Sequence, residues 1–205
     1  MDSLTYLALG DSYTIGEGLP LYESFPYQAV QLLRKCGYAV AAPEIIARTG
    51  WTTGELLQGI SRTQLQAPYG ILSLLIGVNN QYRGYDPGEY AAEFEVLLKQ
   101  AIAFTGGRKQ RVIVLSIPDW SATPFAAGRN VRQVSNEINH FNKLNETLAR
   151  QYGVTYIDIT PGSRLAAGDS SLLAPDGLHY SAKEYARWAD LLAGIILPVI
   201  QREKP

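Results

Sequence analysis

The chain has 205 residues, of which 46% are hydrophobic and 18% are charged, and its formal net charge is −1. This length and composition predict one globular domain over residues 1–205, with enough apolar surface for a packed core. Lysines and arginines are spread along the sequence, which argues against a nucleic-acid partner because phosphate binding favours a clustered basic face. The single cysteine, Cys36, excludes an intramolecular disulfide and a cysteine-based zinc site, and we expect its side chain to be buried.

The N-terminus shows no targeting signal, because Met1-Asp2-Ser3-Leu4 lacks a basic segment followed by an apolar run. The longest apolar stretch, residues 191–200, is too short to span a bilayer and contains Pro198. The sequence therefore predicts a cytoplasmic protein without a membrane span. A leader removed before residue 1 would leave no trace, and nothing in the sequence indicates an oligomeric state.

Short apolar runs alternate with longer segments of helical periodicity. The runs predict strands at 4–9, 44–47, 70–76, 111–117 and 154–159, and the segments between and after them predict helices at about 24–35, 52–64, 87–104, 131–152 and 181–197. Nearly continuous apolar strands that alternate with helices are typical of a parallel sheet covered on both faces. The pattern predicts a three-layer α/β/α sandwich with about five parallel strands. Ligands of such sheets bind at the carboxyl ends of the strands.

Distinctive residues follow the first three predicted strands. These are Gly10-Asp11-Ser12, then Arg48 to Trp51, then Gly77 to Asn80, and Asp176-Gly177-Leu178-His179 precedes the last predicted helix. A serine hydroxyl becomes a strong nucleophile when a base removes its proton and a third group orients that base. The spacing of Asp176 and His179 lets both side chains emerge on one side of a turn. The other histidine, His140, falls inside a predicted helix, where we expect a structural or solvent-facing role.

The four blocks together resemble those of the SGNH subgroup of the GDSL hydrolases, which match here at Ser12, Gly50, Asn79 and His179. The resemblance spans the whole chain in the family's order. It implies a flavodoxin-like α/β/α fold and acyl transfer with Ser12 as nucleophile, His179 as base and Asp176 as the group that orients the base. It also implies an oxyanion hole formed by the backbone N–H groups of Ser12 and Gly50 and the side-chain amide of Asn79.

The sequence departs from related patterns at two places. The serine block is not Gly-x-Ser-x-Gly, so the chain does not have the nucleophile elbow of the α/β hydrolases. Many members of the resembling family have Asn-Asp in the third block, whereas this chain has Asn79-Asn80. The neighbouring carboxylate, and any local role it has, is therefore lost. For Asp11 we expect a hydrogen bond within its own loop and no chemical role.

Aromatic residues near the blocks are candidates for substrate binding, either as an apolar acyl pocket or as a stacking surface for a sugar. They are Tyr13, Trp51, Tyr82, Trp120 and Phe125. Arg83 and Arg129 could meet an anionic substrate group, but we expect both at the solvated surface.

The sequence favours a serine hydrolase that cleaves carboxylic esters of short-chain or acetyl type, without a cofactor or metal. Carbohydrate deacetylation, thioester cleavage, lysophospholipid cleavage and acyl transfer to an acceptor other than water are variants of this chemistry. A second hypothesis is a non-catalytic module on the same scaffold that binds a small molecule or a carbohydrate. A nucleotide or flavin binder is disfavoured because the chain lacks a glycine-rich phosphate loop.

Overall fold

Five parallel strands form one central sheet in the computed structural model, which describes residues 3–202. The strands are β1 (Tyr6–Asp11), β2 (Glu44–Arg48), β3 (Ile71–Leu75), β4 (Val112–Leu115) and β5 (Thr155–Ile157). Their order across the sheet is β2-β1-β3-β4-β5, and every neighbouring pair is parallel. This is the flavodoxin-like order, so the predicted α/β fold is confirmed.

Helices cover both faces of the sheet. Within residues 3–202 they are α1 (Ser12–Ile15), α2 (Phe25–Lys35), α3 (Thr53–Ser61), α4 (Val78–Tyr82), α5 (Pro87–Phe104), α6 (Val131–Tyr152), α7 (Thr160–Ser163) and α8 (Ala182–Arg202). Right-handed crossovers put α2 on one face and α3, α5 and α6 on the other. The last long helix, α8, packs against α2. None of these helices has the length and apolar character needed to cross a bilayer.

The middle of the sheet is the core of the molecule. Every residue of β1 and β3 is buried, as expected for strands covered on both faces. On the α2/α8 side, Trp188 packs among Phe25, Tyr180 and Tyr185, with ring centroids 4.9–6.0 Å apart. The rigid core therefore lies directly beneath the strand ends that carry the distinctive sequence blocks.

The predicted bounds of α5 and α6 agree with the structure, whereas the short helices α1, α4 and α7 were not among the predicted helices. The expectation of a buried Cys36 is wrong, because this cysteine is exposed. It lies at the C-terminal cap of α2, beyond Leu33, which is the last residue of that helix to face the core. An apolar residue type does not ensure burial once the helical stripe has ended.

Strand order determines where the distinctive blocks meet. Because β1 lies between β2 and β3, the loops that follow β2 and β3 flank the residues that follow β1. The direction of strand addition also reverses beside β1, and ligands of doubly wound sheets bind at such a point.

Candidate active site

Ser12 lies at the start of α1, immediately after β1. Asp11 caps this short helix, since its Oδ1 accepts a hydrogen bond of 3.0 Å from the Tyr13 N–H. Gly10 allows β1 to pack closely against its neighbours, because a Cβ at this position would lie 2.4 Å from the Leu75 carbonyl oxygen and 2.1 Å from Thr14 Oγ1. The result is a nearly buried Ser12, with 5% of its surface exposed, held at the carboxyl end of the sheet.

Asp176 and His179 form one local unit in the turn that precedes α8. Asp176 Oδ2 lies 2.6 Å from His179 Nδ1, and Oδ1 accepts hydrogen bonds of 2.9 Å from the backbone N–H groups of Leu178 and His179. Burial acts to raise the pKa of Asp176, but these hydrogen bonds outweigh it and hold the pKa below its usual value. An ionised Asp176 therefore fixes the ring so that Nδ1 faces the carboxylate and Nε2 is left for other partners.

Tyr13 packs against the His179 ring, with centroids 5.3 Å apart, and also contacts Tyr180 and Trp188. Tyr13 is almost fully buried. The histidine ring is therefore held from one side by a carboxylate and from another by an aromatic side chain anchored in the core.

Ser12 and His179 line the same small pocket, whose volume is about 160 Å³. Its lining residues are Ser12, Tyr13, Thr49, Gly50, Val78, Asn79, Tyr82, Trp120, Phe125, Leu178 and His179. In the part of the chain that the structure describes, no hydrogen bond joins the Ser12 hydroxyl to the His179 ring. Such bonds are often long or poorly aligned before substrate binds, so the common pocket is the relevant observation.

Gly50 and Asn79 bring two further hydrogen-bond donors to this pocket. Gly50 has a φ of +81°, a conformation that favours glycine, and within residues 3–202 its N–H makes no hydrogen bond. Asn79 uses one of its two amide hydrogens in a 2.9 Å bond from Nδ2 to the Trp51 carbonyl oxygen. The second hydrogen on Nδ2 is left for another acceptor.

Three aromatic side chains form one wall of the pocket. Tyr82, Trp120 and Phe125 contact one another with ring centroids 5.5–6.1 Å apart. Trp120 is fixed by a hydrogen bond of 2.8 Å from Nε1 to Gln81 Oε1. The guanidinium group of Arg129 lies over the Tyr82 ring, 5.8 Å from its centroid.

Trp51 is the one aromatic candidate that does not line the pocket. Its ring packs on α3, where a Cβ added at Gly59 would lie 2.3 Å from the indole. The Trp51 backbone therefore binds a residue of the pocket, whereas its indole ring packs on α3. Trp51 contributes its carbonyl oxygen, which orients Asn79.

Several residues of the site were not among the predicted site residues, and Arg83 was expected only at the solvated surface. Thr49, Val78 and Leu178 line the pocket, and Gln81 and Arg83 bind other parts of it. A usable signal was the polar run Asn79-Asn80-Gln81, which begins shortly after β3. Successive residues of a helical turn point in different directions, so a run of this kind can contact several neighbouring segments. His140 is exposed on α6 and lines a separate groove of about 540 Å³.

No three His, Cys, Asp or Glu side chains in residues 3–202 are grouped so that they could hold a metal ion. The pocket itself presents a hydroxyl, an imidazole–carboxylate pair and neutral hydrogen-bond donors.

Solved structures share this fold over nearly their whole length. TesA superposes with a TM-score of 0.74 at 19% identity, covering 95% of this chain and 99% of that one. A lipase/acylhydrolase from Enterococcus faecalis gives 0.73 at 18% identity, with 98% of each chain covered. Axe2, an acetylxylan esterase from Geobacillus stearothermophilus, gives 0.70 at 16% identity, with 96% of each chain covered. At these identities the likeness shows the fold.

The sequence itself identifies the family. No curated protein sequence matches the chain significantly, but a profile of the GDSL-like lipase/acylhydrolase family matches residues 8–187. This match includes all four sequence blocks and most of the chain. The protein therefore belongs to the GDSL-like lipase/acylhydrolase family of carboxylic ester hydrolases.

Proposed function

We propose that the protein is a serine esterase that cleaves short-chain carboxylic esters through an acyl-enzyme. The observation that carries the proposal is that Ser12, His179, Gly50 and Asn79 line one pocket, while Asp176 holds the imidazole through Nδ1. These residues come from separate segments of the chain, and acyl transfer needs this combination of nucleophile, oriented base and oxyanion donors.

The proposed reaction begins when Ser12 Oγ attacks the ester carbonyl carbon and His179 Nε2 takes the hydroxyl proton. The negative charge on the tetrahedral intermediate is stabilised by the backbone N–H groups of Ser12 and Gly50 and by the Asn79 amide. His179 then delivers its proton to the leaving alcohol, which leaves the acyl group on Ser12. Water, activated by the same histidine, releases the acid and restores the serine.

Pocket size supports a short acyl group. Its volume of about 160 Å³ lies below the roughly 300–1,000 Å³ of sites that hold drug-sized ligands. The wall is mainly apolar and aromatic, which suits an acyl chain better than a charged group. The structurally similar Axe2 is an acetylxylan esterase, which supports an acetyl group as one member of the proposed substrate class.

The test is hydrolysis of p-nitrophenyl acetate, butyrate and octanoate by wild type, Ser12→Ala and His179→Ala. We expect the acetate and butyrate to be cleaved, and each substitution to lower kcat by at least about 10³-fold because nucleophile and base act as a unit. His140→Ala is the matched control, since this exposed histidine lies outside the pocket, and it should retain wild-type activity.

Other outcomes would replace the proposal. Full activity of folded Ser12→Ala would show that another residue is the nucleophile. Failure of wild type to cleave any ester would instead support a non-catalytic binding module. A preference for an added alcohol over water as acyl acceptor would identify an acyltransferase that uses the same acyl-enzyme.

A further inference from the structure

Residues of the α4 segment bind three backbone groups in the loop between β2 and α3 and at the first residue of α3. Asn79 Nδ2 donates to the Trp51 carbonyl oxygen at 2.9 Å, Asn80 Oδ1 accepts from the Thr53 N–H at 3.0 Å, and Arg83 Nη2 donates to the Gly50 carbonyl oxygen at 2.7 Å. We call Asn79, Asn80 and Arg83 the α4 clamp.

The α4 clamp joins two loops across the end of a third strand. Since β1 lies between β2 and β3, the connection passes over the carboxyl end of β1, where Ser12 is located. The clamp therefore fixes the distance between Gly50, on the β2 side, and the Asn79 amide, on the β3 side. These are two of the three donors proposed above to act together on one oxyanion, the third being the Ser12 N–H.

Asn80 forms the buried part of the clamp through a chain of directed hydrogen bonds. Its Nδ2 donates to Thr53 Oγ1 at 2.7 Å, and Thr53 Oγ1 in turn donates to Glu93 Oε2. Asn80 is completely buried, and its Oδ1 is already engaged by the Thr53 N–H, which fixes the orientation of the amide. The Thr53 hydroxyl has one proton, and Glu93 receives it, so position 80 must supply a donor.

We propose that Asn80 and Arg83 are positioning residues that hold the Gly50 N–H at the distance from the Asn79 amide that the oxyanion requires. This rests on the proposed esterase function. Neither side chain lines the pocket, so both act through the loop that they bind. The Thr53 hydroxyl accepts a hydrogen bond from the Asn80 amide and donates one to the Glu93 carboxylate. One donor and one acceptor on either side of this hydroxyl therefore form a matched pair.

The matched pair gives a compensation experiment. Asn80→Asp places an acceptor where Thr53 needs a donor, and it sets two carboxylates in competition for one hydroxyl proton. We expect kcat for p-nitrophenyl acetate to fall by about 10- to 100-fold, since small displacements of catalytic groups have effects of this size, while KM stays near the wild-type value. Adding Glu93→Gln supplies the missing donor and lets Thr53 donate to the new carboxylate at position 80, so the double variant should recover most of the lost kcat.

Arg83 provides a second test, which does not require the substitution of a buried residue. Its side chain is 39% exposed, so Arg83→Met should fold. We expect lower kcat with little change in KM, and a smaller loss for Arg83→Lys, which retains a donor. Arg150→Met is the control, because this arginine is 73% exposed on α6 and pairs with Glu146.

The outcomes separate this inference from the proposed function. An active wild type, together with a folded Asn80→Asp and an Arg83→Met that both retain wild-type kcat, would overturn the positioning role alone. A loss in Asn80→Asp that Glu93→Gln does not restore, with melting temperatures unchanged, would also overturn it. A wild type that cleaves no ester would overturn both claims, because there would be no oxyanion to position.

Discussion

Asp11, the residue before Ser12, carries a fully buried carboxyl group. Oδ1 is used by the Tyr13 N–H, whereas Oδ2 has no hydrogen-bond partner within residues 3–202. Burial raises the pKa of Asp11 from 3.8 to about 7, and the hydrogen bond from Tyr13 only partly opposes this. Below about pH 7 this carboxyl group is therefore mostly protonated, which limits the negative charge beside a serine whose reaction creates an oxyanion.

This raised pKa predicts a pH-dependent stability. The unfolded chain loses the Asp11 proton near pH 3.8, whereas the folded chain keeps it to about pH 7. The free energy of unfolding therefore falls as pH rises through this interval, by up to about 1.4 kcal/mol per pH unit from this one group. Asn at position 11 stays neutral and keeps the acceptor for Tyr13, so Asp11→Asn should lack this contribution.

Thermal unfolding of both proteins at about pH 5 and about pH 8 measures the effect. The melting temperature of Asp11→Asn minus that of wild type should increase from the lower to the higher pH. A difference that is constant with pH would show that Asp11 has the same pKa in the folded and unfolded chains.

At the scale of elements, the pocket is built by short segments that connect the long ones. The loop after β4 contains two 3₁₀ turns, Trp120–Ala122 and Pro124–Ala126. It is attached to α4 through the bond from Trp120 to Gln81, and to the Asp176 turn through a 3.3 Å bond from the Phe125 N–H to the Gly177 carbonyl oxygen. This loop therefore closes the pocket between the proposed oxyanion donors and the histidine.

The position of Phe125 predicts an effect on acyl-chain length. Its ring lines the pocket but is 45% exposed, so truncation should lengthen the cavity at little cost in stability. We expect Phe125→Ala to raise the ratio of kcat/KM for p-nitrophenyl octanoate over acetate by about 10-fold or more. Tyr22→Ala is the control, because Tyr22 is an exposed aromatic residue outside the pocket. Equal ratios in the two variants would show that the acyl chain does not lie against Phe125.

The same contrast between long and short elements explains what the sequence could predict. The helices α5 and α6 have apolar residues at helical spacing and cap residues, Asp86 and Asn130, that accept hydrogen bonds at their first turns. The helix α4 has five residues, too few for a period to be visible. Its side chains are oriented by long-range hydrogen bonds, such as those between Asn80 and Thr53, and such bonds cannot be read from the local sequence.

The burial and orientation of single side chains in loops also could not be predicted from the sequence. Ser12, Gly50, Asn79 and His179 could be named as candidates because each block has a recognisable composition. Trp51 was misplaced because its neighbours do not show which way a side chain turns in a loop. Its ring occupies the space left by the missing side chain of Gly59 on α3. This contact forms only when the loop packs on the helix.

For the molecule as a whole, the order of the strands brings the site together. With β1 between β2 and β3, the first three blocks converge at one edge of the sheet. The turn carrying Asp176 and His179 reaches the same edge because it directly precedes α8, which packs on α2. Distant segments thus meet over a buried core that resists displacement, as a preorganised site requires.

The central claim is that Ser12 is the nucleophile of this site, and covalent labelling tests it most directly. The folded wild type is treated with a fluorophosphonate, digested, and analysed by mass spectrometry to locate the adduct. We predict a single phosphonyl adduct on Ser12, formed much more slowly in His179→Ala and at the wild-type rate in His140→Ala. An adduct on a different residue, or no adduct on the folded wild type, would contradict the account.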